Sequence, residues 1–231
     1  MNKHPWLREP ELPRLEAMLG LVYLPFHVLG LPQLLNALAT AHPGLTTAWA
    51  NGILYGVATV FVALAFGKRL YVHYGIWVDS AGGVLISLGK SFLLFIGLTV
   101  VLSVFLSVLP VENMINPNNQ ALLSLTGVDL RVTKALAIFL APIVEEVLFR
   151  GVVFGSLRSK NPVAAYVVTF LLFAGAHLWP YLGQMPNLPL YFLQYLPITM
   201  ALCYSYEVTG CLWTPILFHM MNNMMGYNML Q

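Results

Sequence analysis

Charge is scarce in this chain. Lysine, arginine, aspartate and glutamate make up 9% of its 231 residues, where soluble globular proteins spend about a quarter. With 58% hydrophobic residues and a mean hydropathy of +0.75, a soluble enzyme is excluded and an integral membrane protein, with membrane lipids as neighbours, is expected. No interval is polar enough for a soluble domain, so residues 1–231 read as a single membrane domain. The 11 basic residues form no polybasic run, which removes nucleic acid as a partner. Cysteine is nearly missing too: Cys203 and Cys211 form neither a CxxC pair nor a metal-ligand spacing, so a disulfide framework and a zinc–thiolate site are both excluded. Met1 to Glu16 lacks the basic and apolar regions of a cleaved signal, so the N-terminus is expected to be retained.

What the chain has instead is apolar length. Runs near Leu15 to Ala39, Thr46 to Phe66, Val84 to Leu109, Ala135 to Leu157, Val163 to Leu178, Leu190 to Ser205 and Leu212 to Tyr227 approach the roughly 20 residues that a spanning helix needs. They predict an all-α polytopic transmembrane bundle of about seven spans, six to eight being the range, with no strand. Pro25 and Pro32 are expected to interrupt the first helix and Pro197 the sixth. A cytoplasmic N-terminus places Lys3, Arg8, Arg14, Lys68, Arg69, Arg158 and Lys160 inside and leaves Arg131 and Lys134 outside. The Asn-rich connection Pro110 to Lys134 is expected to be an ordinary loop, with a cover over the bundle as the alternative.

Other absences narrow the chemistry. There is no HExxH helix and no Gly-x-Ser-x-Gly elbow. The only aspartates, Asp79 and Asp129, are expected in connections, which argues against a paired-aspartate site. Against this background stands Glu145-Glu146-x-x-Phe149-Arg150. An ionisable residue at a membrane helix centre costs roughly 2.5 to 3.5 kcal/mol, so three within one and a half turns demand a reason. Glu146 and Arg150, at i and i+4, share a face and form the expected ion pair, while Glu145, turned about 100° away, stays free to accept a proton. Gly151 offers close approach to a neighbouring helix. A second helix carries Phe173-x-x-x-His177, and the last carries His219-x-x-x-Asn223, with Asn222 able to substitute for Asn223. Counted at about 1.5 Å per residue from Ser156, Pro162 and Cys211, these polar groups reach similar depths near the midplane.

EExxFRG, FxxxH and HxxxN, in that order on three membrane helices, resemble the CPBP family of CAAX proteases and bacteriocin-processing enzymes, over residues 135–227. The resemblance implies an intramembrane glutamate-type endopeptidase acting on a membrane-associated peptide or protein. Glu145 and His177 would hold and deprotonate the attacking water, His219 and Asn223 would form the oxyanion hole, and Glu146 and Arg150 would be the supporting pair. Phe173 is expected to be packing. No cofactor is expected, zinc on Glu145, His177 and His219 being the rival mechanism. A non-catalytic adaptor or bacteriocin-immunity protein is the rival function. The compact size leans toward a bacterial cell membrane.

Overall fold

The computed structural model describes residues 12–110, 114–183 and 186–229; Lys3 and Arg8, expected at the cytoplasmic side, lie outside them. Among the described residues there are ten helices and no strand. The chain is a helical membrane bundle. Helix α1 (Arg14–Ala41), α2 (Thr47–Asp79), α3 (Ala81–Ser107) and α7 (Pro162–Tyr181, ending in a 3₁₀ turn) are long and apolar enough to cross a membrane. The others are α4 (Pro117–Leu123), α5 (Gly127–Phe139), α6 (residues 141–158), α8 (Leu188–Gln194), α9 (Leu196–Thr209) and α10 (Trp213–Met229).

Several expected spans are redrawn, and proline is the usual cause. The run Ala135 to Leu157 is two helices, α5 and α6, broken at Leu140, because Pro142 in the first turn of α6 has no N–H to continue α5. Pro197 likewise opens α9 rather than kinking a longer helix, leaving α8 as a separate short segment. Helix α1 passes through Pro25 and Pro32 without breaking. It widens into a π turn, Phe26–Gly30, in which the Leu31 N–H donates to the Phe26 carbonyl. Helix α2 runs thirteen residues past Phe66 to Asp79, so Lys68 and Arg69 sit within a helix, and Asp79 ends one. Asp129 lies in the first turn of α5, where its carboxylate accepts from the Thr46 hydroxyl at 2.9 Å and the Ala48 N–H at 2.8 Å. It thereby caps the start of α2 from another helix.

Helix α6 is the axis of the bundle. Every residue from Val144 to Phe154 is buried, and α1, α2, α7, α9 and α10 pack around it, as an all-round apolar helix requires. Its stretch Val147–Phe154 is π-helical, a form that concentrates at functional sites. An added Cβ at Gly151 would meet Leu212 at 3.5 Å, an ordinary contact, whereas one at Gly20 on α1 would come within 2.5 Å of Val152. The close helix approach therefore belongs to Gly20. Outer faces of α2 and α3, including Leu64, Leu85, Leu93 and Val101, remain exposed and apolar, as lipid-facing surfaces are.

Polar contacts clamp one end of this bundle. Arg69 on α2 holds Glu16 on α1 at 2.6 Å. The Leu212 N–H donates to Nδ1 of His73 at 3.1 Å, and the Trp213 indole donates to the Leu70 carbonyl at 3.0 Å. Tyr166 on α7 donates to Glu207 on α9, and the Arg158 guanidinium lies 4.9 Å over the Tyr206 ring. Gly210, at φ +60°, takes the left-handed conformation that ends α9 and turns the chain into α10. The ends of α6, α7, α9 and α10 from which the depths of Glu145, His177 and His219 are counted thus lie together.

Candidate active site

Three helices bring their polar side chains to one place. Glu145 and Glu146 come from α6, His177 from α7 and His219 from α10. Glu146 and Arg150 form the expected i, i+4 pair at 3.0 Å, both side chains fully buried. The guanidinium also lies 4.5 Å from the centre of the Phe173 ring. That cation–π contact replaces part of the hydration that burial removes.

Glu146 has a second partner that helix geometry could not reveal. The same carboxylate oxygen that receives Arg150 stands 2.7 Å from Nδ1 of His219, 73 positions later. An ionised carboxylate only accepts, so Nδ1 of His219 carries the proton and Nε2 is aimed away from Glu146. His177 is fixed in the same way: its Nδ1 lies 2.8 Å from the Phe173 carbonyl, which also only accepts. Each ring is oriented through Nδ1, and each presents Nε2.

Both Nε2 atoms face Glu145. They stand 3.8 Å (His177) and 3.9 Å (His219) from its Oε2, and that oxygen is buried without a hydrogen-bond partner. These separations are too long for direct hydrogen bonds and suit groups that share one water. The two carboxylates therefore divide as their helical positions predict, one neutralised by Arg150 and one left for other work.

Phe173 does more than fill space. Its ring centre is 4.5 Å from that of His177 and 5.9 Å from that of His219, and it meets Phe149 edge-on at 5.2 Å. It is the apolar floor beneath both imidazoles. Tyr195 packs beside both rings, 5.1 Å from His177 and 6.3 Å from Phe173, and its hydroxyl is held by Asn116 and Asn118 at 3.1 and 3.0 Å. The connection Pro110 to Lys134, of which residues 111–113 lie outside the described part, is thus no plain loop: it forms α4 and α5 and ties α4 to the tyrosine beside the site. No motif marks Tyr195 in the sequence.

Asn223 sits one turn beyond His219, and its amide donates to the Ala137 carbonyl at 2.9 Å. The Asn222 side-chain amide donates to Oδ1 of Asn223 at 3.4 Å. One N–H of Asn223 remains for another acceptor. Among the described residues, no group of three or more His, Cys, Asp or Glu side chains is arranged to hold a metal ion.

No curated protein and no solved structure matches this chain. Residues 128–225, the stretch that holds all three motifs and with them Glu145, Glu146, Arg150, His177, His219 and Asn223, match the family model of Rce1-like type II CAAX prenyl endopeptidases, which bears out the resemblance to CAAX proteases.

Proposed function

We propose that this protein is an intramembrane endopeptidase that hydrolyses a peptide bond of a membrane-associated peptide or protein with water activated at Glu145. The observation that carries the reading is the convergence of the Nε2 atoms of His177 and His219 on the unpartnered Oε2 of Glu145. Oε2 of Glu145 and Nε2 of His177 are two acceptors that orient a water by taking its two hydrogens, which leaves an oxygen lone pair for a carbonyl carbon. Glu145 removes a proton as the C–O bond forms, and the same proton then passes to the departing amine as the C–N bond breaks. The products are a carboxylic acid and an amine.

The oxyanion needs donors. His219 supplies one from Nε2, its ring held through Nδ1 by the Glu146 carboxylate, and the remaining N–H of Asn223 supplies the other. In a water-poor site each such donor is worth about 2.7 to 4 kcal/mol. Glu146 and Arg150 act through His219, by holding its ring. No metal takes part in this scheme.

A lipidated substrate fits the surroundings. An apolar cavity of about 320 Å³ lies between α1, α6, α7 and α8, lined by Leu24, Val28, Phe149, Leu172, Ala176 and Phe192 among others. Ala176 adjoins His177, so an isoprenyl chain seated there would bring the peptide bonds beside it to the base. We place the protein in a bacterial cell membrane with its N-terminus cytoplasmic. Peptide maturation and bacteriocin immunity are the processes in which such an enzyme would serve.

The test is hydrolysis in H₂¹⁸O of an internally quenched peptide ending in a farnesylated Cys-aliphatic-aliphatic-X sequence, by purified protein in detergent. Direct attack by water predicts one ¹⁸O in the new carboxylate and activity that survives a strong chelator. Loss of activity on chelation, restored by zinc, would move the reading to metal-assisted hydrolysis. An absence of product, with the Glu145→Gln variant keeping the cellular phenotype, would favour the non-catalytic adaptor.

A further inference from the structure

The two imidazoles that face Glu145 are not held alike. The His219 side chain is 5% exposed and takes its orientation from a buried carboxylate on another helix, Glu146 at 2.7 Å. The His177 side chain is 22% exposed, and its Nδ1 donates to the Phe173 carbonyl one turn back on its own helix at 2.8 Å. That bond selects the tautomer, but it moves with α7 and ties the ring to no other element. His177 also stands in the last α-helical turn of α7, just before the chain tightens to the 3₁₀ turn Trp179–Tyr181. Helix ends fray, so a ring placed there needs a contact from outside its helix.

Tyr195 supplies that contact, its ring centre 5.1 Å from that of His177 and the two planes tilted by 40°. It stands at a break itself, as the residue between α8 and α9. What fixes it is α4. The Asn118 N–H donates to Oδ1 of Asn116 at 3.0 Å, which identifies that atom as the amide oxygen. The Tyr195 hydroxyl, 3.1 Å from the same oxygen, is therefore the donor in that pair, and Nδ2 of Asn118 donates to the hydroxyl at 3.0 Å. On the adjoining residue, Gln194 accepts from Nδ2 of Asn116 at 3.3 Å and donates to the Met114 carbonyl at 3.1 Å. Residues 194 and 195 are thus locked to 114–118, a stretch that precedes the family match at residue 128.

This bonding limits what the tyrosine does. Its one hydroxyl proton is committed to Asn116, so it has none to give to a substrate or a departing amine. Any effect on the reaction passes through the ring, and the ring lies against His177.

We infer that Tyr195 is a positioning residue: braced by Asn116 and Asn118, its ring holds the His177 imidazole at the angle that keeps Nε2 on the water at Glu145. This rests on the endopeptidase reading and extends it to a brace outside the matched region. Nε2 of His177 stands 3.8 Å from Oε2 of Glu145, a gap in which a small swing of the ring changes how well one water is shared. Misplacing a reacting group by about 1 Å costs up to about a hundredfold in rate. A loosened brace therefore shows in the chemical step and not in binding.

Steady-state cleavage of the farnesylated peptide by Tyr195→Phe, Asn118→Ala and the double variant tests it, with Tm measured for each in detergent. Tyr195→Phe keeps the ring and cuts it from α4; Asn118→Ala removes part of the same brace from the other side. Each single variant should lower kcat about two- to tenfold, the range that one hydrogen bond of ordinary net strength sets, at unchanged KM. The double variant should lose no more than Tyr195→Phe alone, because both changes undo one brace. Wild-type kcat in Tyr195→Phe overturns the inference while leaving the endopeptidase reading intact. So does a raised KM at wild-type kcat, an additive loss in the double variant, or a fall in kcat no larger than the unfolded fraction at the assay temperature accounts for. No cleavage by the wild type overturns both.

Discussion

At the residue scale, adjacent carboxylates of one type have opposite fates because a helix turns about 100° per residue. Glu146 faces Arg150 and His219; Glu145 faces the Nε2 atoms of two imidazoles. That division was legible from spacing alone; counted helix depth put Glu145, His177, His219 and Asn223 at a similar level, and the structure brings the first three side chains together. The bond from Glu146 to His219 was not legible, since side chains 73 positions apart meet only through tertiary packing. Removing one member of the buried pair strands the other charge, so Glu146→Ala or Arg150→Ala should lose about 3 to 5 kcal/mol of stability. A wild-type Tm in detergent for either variant would show that the pair does not hold the bundle. Phe173→Leu should leave expression intact and lower kcat, because the floor beneath both imidazoles is then no longer flat. Unchanged kcat would return Phe173 to simple packing.

At the element scale, hydropathy located the helices and proline chemistry set their ends. Pro142 and Pro197 each sit in a first turn and begin a helix that the apolar pattern merges with its predecessor. The π turn in α1 and the π stretch in α6 have no sequence signature, because a wider register arises from packing and not from residue type. The α4 segment was hidden for a related reason, its Asn side chains serving Tyr195 rather than solvent. Helix contacts can be tested at Gly20. A methyl group there would fall 2.5 Å from Val152, so Gly20→Ala should destabilise by about 1–3 kcal/mol despite its better helix propensity. Combining it with Val152→Ala should give back much of the loss. Equal Tm values for Gly20→Ala and wild type would mean that α1 is free to shift away from α6.

At the scale of the whole molecule, the all-α membrane architecture follows from the scarcity of charge. The number of spans does not, because α9 and α10 are 14 and 17 residues long and lie inside a ring of longer helices. Arg14, Arg69 and Arg158 gather at the clamped end, and Lys160 lies just beyond the end of α6. The cytoplasmic N-terminus proposed above would put that end inside, in keeping with the positive-inside rule. Both native cysteines are buried, which makes single-cysteine labelling direct. Ser159→Cys should react with a membrane-impermeant thiol reagent only in opened cells, and Gly44→Cys in intact ones. The reverse pattern would invert the topology.

The central claim is that Glu145 is the base and that water is the nucleophile. Single-turnover cleavage of the farnesylated peptide by purified, folded Glu145→Gln tests it most directly. A general base contributes about 10²- to 10⁴-fold, so the variant should cleave at least about a hundredfold more slowly than wild type while binding the peptide with similar affinity. Cleavage at the wild-type rate would contradict the account.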